Sequence, residues 1–134
     1  MDTAKNPLSQ SLAISPEQLA ARLRSGNAPL ILDVRRLPRY LASERMLQGA
    51  LYCAPDDVAA YAKAHTPREV VVYCVYGHEV GQDSAAALQA AGWEAKFLAG
   101  GIEGGEDGVD SAAQTAAWRA VQIPSVAKKA GEAA

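Results

Sequence analysis

The sequence predicts an α/β protein whose parallel β-sheet is covered by helices on both faces. Short apolar runs without charge alternate along the chain with segments that carry helix-start and helix-stop residues. Uncharged strands are typical of a sheet that is buried on both faces. Polar or reactive residues directly follow several of these runs. In such sheets the functional site lies outside the carboxyl ends of the strands, so these residues are expected to lie near it.

Each predicted element follows from a local pattern and its boundaries. The strands are predicted at Leu30–Leu32, Ala50–Cys53, Val70–Tyr73 and Ala95–Leu98. The first helix begins after Ser15, because a hydroxyl N-cap precedes a proline at the first helical position and a glutamine at the third, and it ends at Gly26. Further helices are predicted at about 41–46, 55–64, 79–91 and 111–120.

The composition is that of one ordinary globular domain, with 134 residues, 49% of them apolar, and a net charge of −2. Such a small charge gives no reason to expect nucleic acid or an anionic membrane as a partner. No apolar run approaches the roughly 20 residues of a membrane span, and no signal-peptide core is recognised. We therefore expect a cytoplasmic protein with two free thiols. A leader at 1–8 and a flexible C-terminal tail at 126–134 are expected to flank a domain at 9–125.

The segment from Glu69 to Glu79, EVVVYCVYGHE, is the most informative part of the chain. Its β-branched run ends at Cys74, Gly77 interrupts the pattern, and an Ala-rich helix follows. Backbone N–H groups and the helix dipole favour negative charge at such a place, which stabilises a thiolate and suits an anionic substrate. The alternative is a small buried residue at the end of a strand. We interpret Cys74 as a nucleophile because of the motifs around it.

Those motifs resemble the single-domain rhodaneses, a family of sulfurtransferases. They are Asp33-Val34-Arg35, Gln48-Gly49-Ala50, the loop from Cys74 to Gly77, Ala91-Gly92-Trp93 and Leu98-Ala99-Gly100-Gly101. Each motif is short, but five in the right order and spacing together indicate the fold. The resemblance covers about residues 10–125 and implies a five-stranded parallel sheet with helices on both faces.

The resemblance also implies a reaction, in which a sulfane sulfur moves through a persulfide on Cys74. The donor would be thiosulfate or a persulfide, and the acceptor would be cyanide or the thiol of a small molecule or a protein. Neither a metal nor another cofactor is implied. Arg39 matches a position where some rhodaneses place an arginine that helps to bind the anionic donor, and Asp33 and Arg35 would support the site structurally. The residues expected to bind the substrate through the loop are Val75, Tyr76, Gly77, His78, Glu79 and Val80.

The loop departs from the family's usual pattern of Arg, Lys or Ser after the cysteine, and it contains the acidic Glu79. A carboxylate near the sulfur would disfavour a thiolate and repel a dianion, unless it points outwards or pairs with His78. His78 could supply positive charge or carry a proton, or it could be an exposed loop histidine. These departures leave open a non-catalytic or sulfur-carrier rhodanese module that acts through a protein partner.

A Cdc25-like phosphatase or arsenate reductase is the third possibility. Gly92 follows Cys74 by 18 residues, one more than expected with a six-residue loop, and a seven-residue loop would fit a tetrahedral oxyanion. Those enzymes need an arginine at the end of the loop to neutralise the transferred group, and this chain has Val80 there. The missing arginine argues against phosphatase chemistry more strongly than the spacing argues for it.

Two further features have open roles. Gly105 stands where the family's pattern has a tryptophan, and Trp118 looks like its displaced counterpart, so residues 105–117 are interpreted as an insertion. That insertion is either a plain surface loop or a partner-docking element, and the loop is favoured. Cys53 is interpreted as buried packing, with a resolving thiol for the Cys74 persulfide as the less favoured alternative.

Overall fold

The computed structural model describes residues 12–121 and 123–127 and confirms the predicted α/β fold. The strands are β1 (Ala13–Ile14), β2 (Leu30–Asp33), β3 (Arg45–Leu47), β4 (Leu51–Tyr52), β5 (Glu69–Tyr73), β6 (Glu94–Leu98) and β7 (Ser125–Ala127). The helices are α1 (Pro16–Arg24), α2 (Leu37–Ala42), α3 (Val58–Ala64), α4 (Glu79–Ala90) and α5 (Ala112–Arg119), and a 3₁₀ turn (Pro55–Asp57) precedes α3.

The five-stranded sheet has the order β1-β6-β5-β2-β4, and all of its neighbouring strands are parallel. Strand β5 occupies the centre of the sheet. Its three valines and Tyr73 are all buried, although they point alternately to the two faces, which is typical of a central strand. Asp33 at the end of β2 pairs with Tyr73 at the end of β5. Cys74 therefore leaves the sheet at the carboxyl edge, beside the segment that follows Asp33.

The helices cover both faces of the sheet, as predicted. On one face, Val70 and Val72 pack in a core with Leu88 of α4. On the other face, Val71 and Tyr73 pack with Leu19 of α1. Every one of these side chains is less than 2% exposed, so the alternation along β5 sends successive side chains into two separate cores.

The predicted helix over 41–46 is wrong in its position. Helix α2 ends at Ala42, and Met46 lies in β3, which forms a small antiparallel sheet with β7. A proline in the first turn starts α2 early, and Met46 pairs with Val126, a partner 80 residues further along the chain. Such a distant partner leaves no local pattern in the sequence.

The two ends of the described chain also differ from expectation. Strand β1 has two residues, which pair with Phe97 and Leu98, and no strand was predicted there. Val126 and Ala127 belong to β7, although the sequence places them in the tail. The expected leader at 1–8 and the rest of the tail lie outside the described residues. None of the described helices is long and apolar enough to cross a membrane.

Residues 105–117, interpreted as an insertion, comprise a turn-rich segment and the first part of α5. Helix α5 begins after Ser111, whose hydroxyl accepts a hydrogen bond from the Gln114 N–H at 3.0 Å. The helix places the Trp118 ring directly against Gly100 and Gly105, where an added Cβ would lie 2.8 Å and 2.9 Å from ring atoms. The indole thus packs on the glycine turn that follows β6.

Candidate active site

Cys74 lies between the end of β5 and the first turn of α4, with His78 as the helix N-cap residue. Its side chain is 5% exposed, and its Sγ accepts a hydrogen bond from the Gly77 N–H at 3.2 Å. The N-terminus of a 12-residue helix and an inward N–H both favour negative charge on the sulfur. The sequence expected N–H groups along the loop to face the sulfur. Within the described residues, Gly77 makes the hydrogen bond that reaches it.

The glycine turn after β6, which includes Gly100 and Gly101, packs against the cysteine loop. Gly77 has φ +78°, and a Cβ there would collide with the backbone N of Gly100. The Ile102 N–H donates to the Cys74 carbonyl at 3.0 Å, and the Glu103 N–H donates to the Val75 carbonyl at 2.9 Å. Two backbone hydrogen bonds and a contact that only glycine fits therefore fix the loop on the turn.

A cavity of about 270 Å³ opens above Cys74. Its lining comprises Arg35, Arg36, Arg39, Cys74, Val75, Tyr76, His78, Glu79 and Val80. It thus contains every side chain that the sequence predicted for substrate binding; Gly77 contributes its N–H. A cavity of about 360 Å³ lies elsewhere, under Trp118, but its lining includes no cysteine or histidine. In the described residues no three His, Cys, Asp or Glu side chains are arranged to hold a metal ion.

Arg39 reaches across this cavity to the cysteine loop. Its Nη2 donates to the Tyr76 hydroxyl at 3.0 Å, and its guanidinium carbon lies 5.4 Å from the centre of the Tyr76 ring. Arg39 pairs with no carboxylate of the described residues, so its positive charge remains available to an anion. Arg39 comes from α2 and Tyr76 from the loop, and their contact joins the two walls of the cavity.

Asp33, Arg35 and Tyr73 form a buried polar cluster behind the cavity. The Arg35 guanidinium donates to both oxygens of Asp33, with a closest distance of 2.6 Å, and the Tyr73 hydroxyl donates to Asp33 Oδ2 at 2.8 Å. Burial, reinforced by the Asp33 carboxylate, raises the pKa of Tyr73. Arg35 also donates to the Arg45 carbonyl at 3.0 Å, and Tyr73 accepts from the Leu47 N–H at 3.0 Å. These bonds attach β3 to the end of the central strands.

His78 points towards the acidic segment before α5. Its Nε2 lies 2.8 Å from Asp110 Oδ2, and its Nδ1 lies 3.4 Å from Glu106 Oε1. Desolvation opposes ionisation of Asp110, but hydrogen bonds from the Glu106 N–H and His78 prevail and hold the pKa of Asp110 below its usual value. Two carboxylates of the segment before α5 therefore face the two ring nitrogens of His78.

Glu79 lies in the first turn of α4, with an exposed side chain that also lines the cavity. The sequence left open whether it would pair with His78. In the structure His78 is paired with Asp110 and Glu106 instead, and Glu79 has no ion pair with another described residue. The Glu79 carboxyl group is therefore free to meet a ligand at the rim of the cavity.

Two residues of the site were not predicted from the sequence. Arg36, the residue before α2, lines the cavity beside Arg39. Arg36 and Arg39 are three residues apart, a spacing that is compatible with one side of a helical turn. That spacing could have indicated that Arg36 lines the same cavity as Arg39. Asp110 lies in the segment 105–117 that the sequence interprets as an insertion, and no contact is predicted for it. Its contact with His78 depends on how the chain folds back, which no local pattern describes.

Cys53, the second thiol, lies in the buried core and is free. Desolvation, together with the negative charge of Asp57, raises the pKa of Cys53 to about 11. Its Sγ lies 3.8 Å from the Ala54 carbonyl. A thiol held neutral in this way is a poor nucleophile, which agrees with the interpretation of Cys53 as packing.

The fold and the site together define an α/β protein with a cysteine in an anion-compatible loop. A family model described as rhodanese-like domain matches residues 15–107. Because that match covers more than half of the 134 residues, the chain belongs to the rhodanese-like domain family, as the resemblance predicted.

Solved structures support the same fold. A full-length protein from Lactobacillus plantarum is 26% identical with a TM-score of 0.70, covering 89% of this chain and 90% of that one. The rhodanese-like domain of an Anabaena protein is 24% identical with a TM-score of 0.65, covering 87% and 80%. A rhodanese homologue from the extremely thermophilic bacterium Thermus thermophilus is 29% identical with a TM-score of 0.54, covering 67% and 95%. No match was found among curated proteins.

Proposed function

We propose that the protein is a sulfurtransferase in which Cys74 carries the transferred sulfur as a persulfide. The observation that supports this most directly is the position of the Cys74 sulfur. It lies at the base of a cavity of about 270 Å³, accepts the Gly77 N–H and faces the N-terminus of α4. These groups favour a thiolate before transfer and an anionic persulfide after it.

The proposed reaction has two displacement steps at sulfur. The Cys74 thiolate attacks the outer sulfur of the donor, a new S–S bond forms, and the donor's own S–S bond breaks with its electron pair going to the leaving group. Thiosulfate would leave as sulfite, and a persulfide would leave as a thiolate. An acceptor thiolate or cyanide then attacks the outer sulfur of the persulfide and regenerates the Cys74 thiolate, which gives ping-pong kinetics.

The charges around the cavity are compatible with an anionic donor, although the loop itself offers no arginine or lysine. Arg36 and Arg39 line the wall opposite the loop and pair with no carboxylate of the described residues. They would supply the positive charge that rhodaneses usually place in the loop. Thiosulfate and persulfides are both retained as donor classes under this proposal.

Mass spectrometry of the intact protein tests the proposal. After incubation with thiosulfate or a small persulfide, the wild type should gain about 32 Da, one sulfur atom, and cyanide should remove it. Cys74→Ser should gain nothing, whereas Cys53→Ser, the matched control at the buried thiol, should behave as the wild type. The proposal fails if the wild type stays unmodified with every donor, or if Cys74→Ser is modified equally.

A non-catalytic or sulfur-carrier module is the second candidate, and Glu79 at the rim of the cavity favours it over a fast small-molecule enzyme. A carrier would form the Cys74 persulfide but transfer it slowly to cyanide and small thiols. It would transfer rapidly to a protein thiol. Single-turnover rates with the two kinds of acceptor distinguish the carrier from the enzyme.

Phosphatase or arsenate reductase chemistry receives no support from the site. Helix α4 begins at Glu79, so Val80 lies in its first turn with an apolar side chain at the cavity wall. No arginine of the loop is available there to neutralise a transferred tetrahedral group. Hydrolysis of an aryl phosphate, or arsenate reduction, that is lost in Cys74→Ser would revive this candidate.

A further inference from the structure

The cavity above Cys74 contains charges of both signs after its internal pairs are removed. Five permanently or readily charged side chains line it, namely Arg35, Arg36, Arg39, His78 and Glu79. The charge of Arg35 is balanced by Asp33 at 2.6 Å. His78 faces Asp110 at 2.8 Å and Glu106 at 3.4 Å. Two arginines and one carboxylate thus remain to meet a ligand.

A simple dianion such as thiosulfate uses only part of this arrangement. Arg36 and Arg39 attract it, but the Glu79 carboxylate repels it. Two negative groups in one small cavity destabilise each other. A ligand that carries a carboxylate and an ammonium group would instead find a partner for each of its charges. The rest of the lining is apolar or aromatic, with Val75, Val80 and the Tyr76 ring, and it suits a short aliphatic stem.

We propose that the preferred sulfur donor is a zwitterionic low-molecular-weight persulfide, an amino-acid or small-peptide hydropersulfide. Its carboxylate would bind Arg36 and Arg39, its ammonium group would bind Glu79, and its outer sulfur would face Cys74. This inference rests on the sulfurtransferase function proposed above and names the donor class of that site. Glu79 becomes a specificity residue in it, rather than an obstacle to sulfur transfer.

The chemical step balances without another reactant. The Cys74 thiolate attacks the terminal sulfur of R–S–SH, the Cys74–sulfur bond forms, and the donor's S–S bond breaks. The inner sulfur leaves with the electron pair as the thiolate R–S⁻, and the proton of the terminal sulfur remains on the new Cys74 persulfide or passes to that thiolate. No oxidant or reductant is consumed.

Paired donors test the role of the ammonium group. Cysteine hydropersulfide and the hydropersulfide of 3-mercaptopropionic acid differ only by the amino group, and thiosulfate serves as the purely anionic donor. The measured quantity is kcat/KM for Cys74 persulfide formation in the wild type and in Glu79→Gln. Comparing each donor's change between the two proteins cancels the donors' different intrinsic reactivities.

We expect Glu79→Gln to lower kcat/KM for cysteine hydropersulfide by about threefold, and to raise it for thiosulfate by a similar factor, as partly exposed charge pairs do. For the hydropersulfide of 3-mercaptopropionic acid, Glu79→Gln should not lower kcat/KM. Arg36→Gln should lower kcat/KM for both carboxylate-bearing donors. Glu94→Gln, which removes an exposed carboxylate from β6 outside the cavity lining, should change none of them.

The outcomes separate this inference from the proposed function. Persulfide formation on Cys74 from no donor at all would overturn both. Persulfide formation from every donor, with Glu79→Gln changing all three rates by the same factor, would overturn the zwitterionic donor and leave the sulfurtransferase intact. A wild-type preference for cysteine hydropersulfide that Glu79→Gln leaves unchanged would also overturn the role of Glu79.

Discussion

Two polar clusters lie near Cys74, and they differ sharply in burial. In the inner cluster, the Asp33 and Arg35 side chains are 0% and 1% exposed. In the outer cluster, His78, Asp110 and Glu106 are 36%, 16% and 39% exposed. The first is built from neighbouring strand ends of the domain, and the second depends on the acidic segment before α5.

The difference indicates two different uses of charge. A buried ion pair cannot lose one partner without leaving a charge in a medium of low polarity, so the inner cluster fixes the geometry of the strand ends. A half-exposed pair can open into water at small cost, so the outer cluster stabilises the loop only weakly. Rigid architecture thus lies behind the cavity, and an adjustable contact lies at its rim.

Removing the charge of Asp33 should have the largest effect on stability. Asp33→Asn leaves the Arg35 guanidinium buried without its counter-ion, and we expect a loss of about 3–5 kcal/mol in the free energy of unfolding. Urea unfolding followed by circular dichroism measures it. Asp56→Asn, at an exposed residue of the 3₁₀ turn, is the control and should change little. A loss below about 1 kcal/mol for Asp33→Asn, by the scale of exposed pairs, would remove the distinction between the clusters.

Tyr73→Phe should have the next largest effect. The hydroxyl joins Asp33 Oδ2 to the Leu47 N–H, and its removal leaves that buried N–H without its acceptor. We expect a loss of about 1–3 kcal/mol in the same unfolding measurement. Tyr61→Phe provides the comparison, because the Tyr61 hydroxyl makes no hydrogen bond that the described residues include. Equal losses for both variants would contradict the bridging role of Tyr73.

Asp110→Asn should destabilise the protein less, by about 1 kcal/mol, since its bonds to the Glu106 N–H and to His78 lie near the surface. Faster hydrogen exchange confined to the cysteine loop and the segment before α5 would locate the effect. Added salt should reduce the wild-type advantage. A loss as large as that of Asp33→Asn would show that the outer cluster is part of the rigid architecture.

Lowering the pH should abolish the destabilisation caused by Asp110→Asn. Because its partners hold the pKa of Asp110 below its usual value, the carboxylate adds stability at a pH above about 3.9, the pKa of an unperturbed aspartate. That contribution disappears as the pH falls through the lowered value. The difference in unfolding free energy between wild type and Asp110→Asn should therefore shrink below about pH 4. A constant difference down to about pH 2 would contradict the assignment.

The sequence was sufficient for the parts of the molecule that depend on local patterns. The valine run of β5, the capped start of α1 and the Ala-rich helix α4 all lie within a residue or two of their predicted bounds. The position of Cys74 at a strand end followed from these elements together. Buried parallel strands and helix caps produce such patterns because each depends on neighbours in the chain.

The parts that were missed depend on residues far apart in the sequence. Met46 is a strand residue because it pairs with Val126, and His78 meets Asp110 because the glycine turn and α5 bring the chain back over the loop. Strand β1 has two residues and little pattern of its own. Tertiary contacts decide these cases, and a single sequence carries no record of them.

Gly81 has a consequence for how this protein could be stabilised. It lies in the third position of α4, and a Cβ there would be 3.1 Å from Cys74 Sγ and 3.7 Å from Phe97 Cβ. Alanine favours a helix interior by about 1 kcal/mol over glycine, so a search guided by helix propensity would select it here. The added methyl group would occupy space next to the nucleophile. The chain thus keeps a weaker helix where a stronger one would crowd the sulfur it carries.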